Sequence, residues 1–556
     1  MFDFLKNPAS IFKKKQEDIL SAAFVIGVAV AISRLLGLVR YRLLASNFGH
    51  DIKLLDSFIA ASVLPDAIFE VLIFGTIALA FIPVFSKYLS RDNLDRAWKL
   101  SSSMISFGLL IFFIFTIIVM IFAKPLAALI APGLVAKDPQ TQILIARLLR
   151  VMLISQLFFV VSIFITGVLQ SFQRFLIPAL ASIFYNLGII ISIIFLSPVI
   201  GIYAPAFGMI LGAMLHLVVQ LPLALSLGFK FKPNLDFKNK DVWEMFHLMW
   251  PRSIALGVTR LSDLVNIALA SVAVFGSIVA FNFAQALQLV PTAFFASSIS
   301  QAALPSLSIQ FHTKKLDKFK ELFVDSFHQI IFLVLPLTAI LAILRIPAVR
   351  LVFGARELPW DITVLTGRIL IAFAFGIAAQ SASLLLIRSF HALRDSFTPV
   401  KVNVATVGLN ITLSLAFIFV FHLPIVFLAV AYSFANIINA LVLLYLLDRK
   451  VGGFGKKQLL FPIAKMGVTS AVTAISLYIP MKLLDKLVFD TTRTVGLILL
   501  TSIASAVGLS VYIFLSWIFK VPQLLIFLHL AKRVLTWPAK LKTPPPTSIE
   551  AQSQTP

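Results

Sequence analysis

Long apolar runs recur along the whole chain, and basic residues collect in the gaps between the runs. Most runs reach or exceed the about 20 residues that an α-helix needs to cross a membrane. A membrane β-barrel would instead show alternating positions over about ten residues. The pattern predicts an all-α, polytopic membrane protein with about fourteen transmembrane helices. We place these spans near residues 21–45, 54–86, 102–131, 143–168, 176–197, 201–226, 245–272, 276–308, 325–345, 364–389, 398–421, 425–447, 461–485 and 493–519.

The distribution of Lys and Arg predicts the orientation of the spans. Loops on the cytoplasmic side carry an excess of basic residues, and the loops after the even-numbered spans are the basic ones. Examples are Lys87, Arg174, Lys230, Lys314, Arg394 and Arg449. Arg350 and Arg356 are the main exceptions. We therefore expect both termini to be cytoplasmic, with the first apolar run as an uncleaved helix because no cleavage site ends it.

Short matches between the two halves of the chain indicate an internal repeat. Ser33-Arg34-Leu35 recurs as Thr259-Arg260-Leu261, Leu64-Pro65 as Val290-Pro291, and Ser171-Phe172 as Ser389-Phe390. The offset of about 218–226 residues equals six spans. An even number of spans keeps both copies in the same orientation, so the repeat predicts two parallel six-helix lobes.

The repeat also predicts the domain organisation. Its parts are a cytoplasmic N-terminal segment at 1–20, an N-lobe at 21–226, a C-lobe at 227–447, two further helices at 461–519, and an interfacial helix with a disordered tail at 520–556. Pro65 and Pro291 hold equivalent places in the two lobes. Proline removes a helical hydrogen bond and kinks the axis. We interpret the two prolines as hinges, with an ordinary bend as the alternative.

Composition excludes several classes of protein. The chain has 556 residues, of which 60% are hydrophobic and 13% charged, and a net charge of +23. Because the basic residues concentrate in loops, this charge indicates membrane topology and attraction to anionic lipids, not binding of nucleic acid. There are no cysteines, the eight histidines form no clustered ligand pattern, and no phosphate-binding loop is present. We therefore expect no metal site, no cofactor and no enzymatic activity.

Charged residues inside the apolar runs are the candidate functional residues. Such a charge costs about 2.5–3.5 kcal/mol at a helix centre, so it is seldom carried without a use. The candidate substrate-binding residues are Arg34, Arg40, Asp56, Asp66, Arg252, Arg260 and Asp263.

The repeat relates two of these arginines to each other. Arg34 matches Arg260, so the two are expected to face one central cavity from opposite lobes. Asp263 follows Arg260 on the same helix face and can pair with it, or the two can form a self-contained intrahelical pair. Several arginines suit an anionic ligand, because guanidinium groups bind phosphate bidentately. The acidic residues Asp56, Asp66 and Glu70 either hold the arginines in place or bind a coupling cation or proton. The residues thus indicate an alternating-access transporter for an anionic or amphiphilic substrate.

A series of short motifs follows one order through the membrane part of the chain. They are SRLLGLVR at 33–40, DSF at 56–58, LP at 64–65, AFIP at 80–83, APG at 131–133, QRF at 173–175, QLP at 220–222, LPSLS at 304–308 and TPVK at 398–401. Together they resemble the MurJ (MviN) lipid II flippases of the multidrug/oligosaccharidyl-lipid/polysaccharide exporter superfamily. The resemblance runs from about residue 21 to 520.

This resemblance implies a substrate and a location. The substrate would be lipid II, the undecaprenyl-pyrophosphate-linked precursor of peptidoglycan, moved from the inner to the outer leaflet of the bacterial inner membrane. Arg34 and Arg40 match family arginines that engage the pyrophosphate, and Asp56 matches a carboxylate of the family cavity. The lipid tail would lie near the last two spans. A membrane potential or an ion gradient would drive the cycle.

The sequence departs from the family at several charged positions. Family arginines are replaced by Phe69 and Ala286, and family acidic residues by Tyr41, Phe74 and Leu289. Arg252, Arg260 or Arg42 could take over from the missing arginines. Three other functions stay open: a flippase for another polyprenyl-linked glycan, a cation-coupled exporter of small molecules with the same fold, and a membrane scaffold without transport. Fourteen spans and paired arginines argue against the small-molecule exporter.

Overall fold

The computed structural model describes residues 19–72, 81–90, 93–354, 357–487, 494–525 and 527. Within these ranges every regular element is a helix. The predicted N-terminal segment up to residue 18, Phe74, Arg356 and most of the predicted interfacial helix and tail lie outside them. The helix that contains Arg252 is described, but the Arg252 side chain is outside the described part.

The helices follow the order of the apolar runs. They are α1 (Ile19–Phe48), α2 (Ile52–Leu72), α3 (Ile82–Leu89), α4 (Leu94–Ile121), α5 (Ala123–Ile130), α6 (Pro132–Lys137), α7 (Pro139–Ser171), α8 (Leu176–Ile200), α9 (Tyr203–Val218), α10 (Leu221–Ser226), α11 (Lys240–Val272), α12 (Ser277–Pro291), α13 (Ser297–His312), α14 (Leu316–Ile343), α15 (Arg345–Phe353), α16 (Trp360–Ala392), α17 (Phe397–Leu415), α18 (Val426–Val451), α19 (Lys456–Leu487) and α20 (Thr494–Ile518). Two π-helical segments, Thr292–Ala296 and Ala416–Val420, continue α12 and α17.

Eleven helices in the described ranges are long and apolar enough to cross a membrane. The helices α1, α2 and α11, which coincide with predicted spans one, two and seven, are not among the eleven. These three are the helices that carry the charged candidate residues. The prediction of an all-α protein with many membrane spans is confirmed, whereas the count of fourteen stays a prediction.

Polar residues between the apolar runs begin several helices. The side chain of Asn93 accepts a hydrogen bond from the backbone of Arg96 (3.2 Å) at the start of α4. Asp138 does the same for Gln140 (2.9 Å) at α7, and Asn239 for Asp241 (3.0 Å) at α11. Each cap satisfies a backbone N–H that the first helical turn leaves free.

The two equivalent prolines have different surroundings. Pro65 lies inside α2, and its carbonyl accepts a hydrogen bond from the buried Gln156 side chain on α7 (3.2 Å). Pro291 ends α12 and is followed by the π-helical segment Thr292–Ala296. A π-helical turn widens the helix where proline has removed a hydrogen bond. The helix departs from regular α geometry after Pro291 but continues through Pro65, and the hinge assignment stays a prediction.

The buried apolar side chains form three clusters. The outer core contains residues from both repeats, for example Leu55, Phe159, Phe281 and Phe373. The other two clusters lie toward the predicted cytoplasmic side. One, the first inner core, is built around Phe85 and Trp98, and the other, the second inner core, around residues 319–334 and 374–402. Among the described residues, the two repeats therefore share one core at their outer end, whereas the inner end has two separate clusters, the first of which includes the start of α11.

The helix α11 belongs to both groups of helices. Its first turns place Val242 and Met245 in the first inner core, and Asp241 accepts a hydrogen bond from the hydroxyl of Tyr88 at the end of α3. Further along, α11 packs against α2 and α6 on one side and α17 on the other. The predicted lobe boundary at residues 226 and 227 precedes this shared helix, and the domain limits stay a prediction.

A buried carboxylate joins the repeats at the outer end. Asp56 in the first turns of α2 is fully buried. It accepts hydrogen bonds from the backbone N–H groups of Gly276 (2.5 Å) and Val279 (2.9 Å) at the start of α12. A negative charge is favourable at a helix N-terminus, where N–H groups lack intrahelical partners. Gly276 is left-handed (φ +89°), and a Cβ there would lie 2.1 Å from Ile362 Cδ1.

A basic side chain closes the adjoining helix end. The ammonium group of Lys137, at the end of α6, donates to the carbonyl oxygens of Ser271 (3.1 Å), Val272 (3.0 Å) and Ala273. These carbonyls belong to the C-terminus of α11, where a positive charge is favourable. The first repeat thus supplies a cation to the end of α11 and an anion to the start of α12. The outer end of the molecule is closed by these contacts.

The turns after α7 and α16 occupy equivalent places in the two repeats. Their geometry shows that one of the sequence matches is misaligned. Gln173 (φ 59°) and Arg394 (φ 58°) are left-handed residues at equivalent places in the two turns. The Ser-Phe match would pair Ser171 with Ser389, and therefore Gln173 with His391. The backbone hydrogen bonds of the two turns align Gln173 with Arg394 instead. The Ser-Phe match is therefore shifted along α16 relative to the structural alignment.

The close contact at Gly276 yields a first prediction. The change Gly276→Ala should destabilise the protein by about 1–3 kcal/mol, because a left-handed backbone and a clash with Ile362 both oppose a Cβ. Thermal unfolding of the purified protein in detergent measures this effect. The matched control is Gly408→Ala in α17, where a Cβ meets no atom within 4 Å. Equal unfolding temperatures for the two variants would contradict the assignment.

The turn after α16 yields a second prediction. Burial opposes ionisation of Asp395, but the ion pair with Lys450 and hydrogen bonds from Thr398 outweigh it and lower the pKa from 3.8 to about 2. Because the folded-state pKa is below the ordinary value, the stabilisation is present above about pH 4 and is lost toward pH 2. Asp395→Asn should cost roughly 1–2 kcal/mol at pH 7, since partly exposed pairs are screened by water. Unfolding curves at pH 7, 4 and 3 check this: the difference from wild type should shrink with falling pH, and a constant difference would refute it.

Candidate functional site

Charged residues from three helices lie together inside the molecule. The helix α2 packs against both α1 and α11, and these three helices supply every member of the group. We call the group the charged cluster: Arg34 and Arg40 on α1, Asp66 and Glu70 on α2, and Arg260 and Asp263 on α11. Asp66 and Glu70 are four residues apart, as expected for two side chains on one helix face.

Arg260 is held by two carboxylates. One guanidinium nitrogen is 2.8 Å from Asp263 Oδ2 in the same helix, and the other pairs with Glu70 on α2. Gln285 on α12 donates to the second oxygen of Asp263 (3.4 Å). The predicted pairing of Arg260 with Asp263 is confirmed, but the pair is not self-contained, because Glu70 joins it from the other repeat.

Arg40 lies in a more buried, aromatic part of the charged cluster. Its charge interacts with Asp66 and with the hydroxyl-bearing rings of Tyr41 and Tyr185. The guanidinium carbon is 5.0 Å from the centre of the Tyr41 ring, within the range of a cation–π contact. The buried Nε of Arg40 has no hydrogen-bond partner among the described residues. A donor of this kind is available to a ligand that reaches it.

Arg34 has no acidic partner in the described part of the chain. Two cations, Arg40 and Arg260, act electrostatically on its guanidinium. In the second repeat an acid, Asp263, follows the arginine by three residues, but Gly37 occupies that place after Arg34. Arg34 is exposed in the folded chain, and the two nearby cations repel its guanidinium, with no acidic group among the described residues to offset them. The arrangement favours an anion beside Arg34.

The remaining sequence-predicted residues lie elsewhere. Asp56 is at the outer end, on the N-terminus of α12, and is not part of the charged cluster. Arg42 donates to the carbonyl oxygen of Leu351 on α15 (2.6 Å), so its guanidinium is engaged outside the charged cluster. The side chain of Arg252 is outside the described part. Glu70 was not among the candidate substrate-binding residues, but it was expected to hold an arginine in place, and it pairs with Arg260.

Aromatic packing occupies positions where the resembled family has charges. The Phe69 ring is 4.1 Å from that of Phe159 and 5.8 Å from that of Tyr185. Tyr41 packs edge-on against Phe283 (5.6 Å) and Phe353 (6.3 Å). These rings belong to or adjoin the outer core. The charged cluster therefore has an aromatic wall on the side of α7 and α8.

The chemistry of the charged cluster is that of anion binding. Among the residues that the structure describes, no group of three or more His, Cys, Asp or Glu side chains is placed to hold a metal ion. Three arginines can bind phosphate oxygens through charge-assisted hydrogen bonds, which are the stronger kind. The three carboxylates hold or balance those arginines.

Comparisons with known proteins agree with this chemistry. The family model described as "Lipid II flippase MurJ" matches residues 44–495. A probable lipid II flippase MurJ from Bdellovibrio bacteriovorus is 28% identical over 481 residues, which cover 85% of this chain and 90% of the relative. The lipid II flippase MurJ of Burkholderia cenocepacia is 24% identical over 393 residues, or 70% of this chain and 76% of the relative.

Solved structures show the same relationship at the level of the fold. The structure of a lipid II flippase MurJ in an inward closed conformation has a TM-score of 0.74 at 25% identity, with 89% of this chain and 98% of that chain covered. A multidrug resistance transporter of the MATE family in an inward-facing conformation has a TM-score of 0.62 at 13% identity, which shows a shared fold alone. Because the family model spans most of the sequence, from residue 44 to 495, this chain belongs to the lipid II flippase MurJ family.

Proposed function

We propose that this protein is a lipid II flippase. It moves the undecaprenyl-pyrophosphate-linked precursor of peptidoglycan from the inner to the outer leaflet of the bacterial inner membrane by alternating access. The observation that carries the proposal is Arg34, a cation without an acidic partner in the described part of the chain, which lies beside Arg40 and Arg260. A pyrophosphate supplies the missing negative charge. Membership of the family gives the substrate class its support.

The residues of the charged cluster have separate roles in this proposal. Arg34 and Arg40 bind the pyrophosphate, and Arg260 takes the place of an arginine lost at Phe69 or Ala286. Asp263 orients Arg260 through their ion pair, and the charge of Asp66 balances that of Arg40. Arg252 stays a candidate for the same site. A coupling cation or proton would bind the carboxylates, and the coupling ion is left open.

The proposal extends to the conformational cycle. The shared outer core and the separate inner cores fit a molecule that admits its ligand from the cytoplasmic side. Outward opening would separate Asp56 from Gly276 and Lys137 from the end of α11. Pro65 and Pro291 would act as hinges between an N-lobe at 21–226 and a C-lobe at 227–447. Both chain termini would stay on the cytoplasmic side, with membrane lipids around the spans.

One set of observations favours a second candidate substrate. Phe69 and Ala286 replace two family arginines, and Phe69 is packed in an aromatic wall next to the charged cluster. A site with fewer cations and more rings suits a different headgroup on the same pyrophosphate. Another polyprenyl-pyrophosphate-linked glycan is therefore the alternative substrate.

Complementation tests the proposed function. In a bacterium depleted of its own lipid II flippase, wild-type protein should restore growth and expose lipid II on the outer leaflet. Arg34→Ala and Arg40→Ala should lower lipid II exposure about 10- to 100-fold, the effect of losing a hydrogen bond to a charged group worth roughly 1.5–3 kcal/mol. The matched control is Arg449→Ala, whose guanidinium stacks on Tyr445 at the end of α18, away from the charged cluster.

The outcomes show whether lipid II or another polyprenyl-pyrophosphate-linked glycan is the substrate. Loss of activity in the arginine variants at equal expression, with Arg449→Ala active, supports the pyrophosphate role. A wild-type protein that is inserted and folded but restores no lipid II exposure would overturn the lipid II assignment. In that case, binding assays with other polyprenyl-pyrophosphate-linked glycans would test the alternative.

A further inference from the structure

The ion pair between Glu70 and Arg260 crosses from one repeat to the other at the centre of the charged cluster. We propose that Glu70 is an internal competitor for the ligand. Its carboxylate occupies Arg260 while the site is empty, and a phosphate group of the ligand displaces it. Displacement removes an ionic bridge between α2 and α11, so binding of the ligand and separation of the repeats are coupled. This inference rests on the proposed function of the charged cluster as a pyrophosphate site.

The two carboxylates on Arg260 are not equivalent. Asp263 lies in the same helix and is also held by Gln285 of α12. Glu70 comes from the facing helix, and Arg260 is its ion-pair partner among the described residues. Asp263 therefore keeps Arg260 in place when Glu70 leaves. Glu70 is the partner that can be exchanged without loss of the arginine's position.

Both members of the crossing pair are accessible. The side chains of Arg260 and Glu70 are 35% and 36% exposed, so a ligand can reach them without unfolding of either helix. A phosphate and a carboxylate make the same bidentate, charge-assisted hydrogen bonds to a guanidinium. Arg34, which has no acid of its own, acts electrostatically on Arg260 and would share the incoming anion.

The repeat supports a specific use for Glu70. The Pro65–Pro291 match places Glu70 opposite Ala296 in the second repeat, and Asp263 opposite Gly37 in the first. Both acids therefore break the symmetry of the repeat. The first repeat has an arginine without an acid, Arg34, and the second has an arginine with two. Because Arg260 has a competing carboxylate and Arg34 has none, the ligand contacts Arg34 first and Arg260 second.

Binding of undecaprenyl pyrophosphate to the purified full-length protein in nanodiscs tests the inference. The change Glu70→Gln keeps the side-chain shape but removes the competing charge, so affinity should rise about tenfold, within the usual range for coupled sites. Arg260→Ala should weaken binding, and adding Glu70→Gln to it should change nothing further. Asp263→Asn is the matched control: it removes an acid that positions Arg260 and should not tighten binding.

A second measurement tests whether the ion pair between Glu70 and Arg260 holds the two repeats together, independently of ligand affinity. The chain has no cysteine, so two labels can be attached without removing a native residue. Spin labels at Lys87→Cys and Thr313→Cys, at the inner ends of α3 and α13, report the distance between the repeats. Undecaprenyl pyrophosphate should shift this distance distribution in the wild-type background. Glu70→Gln should produce part of the shift without any ligand.

The possible results distinguish this inference from the proposed function. If the wild-type protein does not bind undecaprenyl pyrophosphate, the proposed function fails. If the wild type binds but folded Glu70→Gln binds equally or more weakly and leaves the distance unchanged, the competitor role alone is overturned. Thermal unfolding of each variant shows that it is folded, and Glu70→Asp supplies a second, charged variant in case Glu70→Gln is unstable.

Discussion

An arginine inside a membrane protein needs a counter-charge, and the arrangement of α1, α2 and α11 follows from that need. Arg260 obtains its counter-charge from Asp263 and Glu70, and Arg40 from Asp66. Arg34 obtains none within the described part of the chain. The three helices are thereby held side by side through charges that belong to both repeats, and the one uncompensated cation defines where an anionic ligand completes the structure.

The outer end is closed by a different use of charge. There the counter-charges are helix ends: Asp56 faces the free N–H groups of α12, and Lys137 the free carbonyls of α11. The backbone groups at a helix end are fixed in position, so the neighbouring chain must come close to them. The absence of a side chain at Gly276 permits this close approach. At the inner end, the described apolar side chains divide into two separate clusters. The molecule is consequently tight on one side of the charged cluster and divided on the other.

Much of this could be predicted from the sequence, because the strongest signals are local. The apolar runs predicted the helices, and the rare charges within the runs identified all six members of the charged cluster. The partners of those charges could not be predicted in the same way. Asp56 was expected in the cavity but binds the start of α12 through Gly276, which is 220 residues further along the chain. Glu70 meets Arg260 only because α2 and α11 pack together, and the displaced Ser-Phe match shows that repeat alignment alone is accurate to about one helical turn.

The charged cluster contains as many carboxylates as arginines, and this equality bears on the energetics of transport. An empty carrier whose central charges cancel moves little net charge when it changes conformation. A carrier that holds a pyrophosphate moves the negative charges of its cargo outward, and each such charge gains about 2.3 kcal/mol per 100 mV in a cell that is negative inside. The membrane potential would then act on the loaded step and leave the return step nearly unaffected. A voltage-driven direction of transport would follow from charge balance alone, without a dedicated voltage sensor.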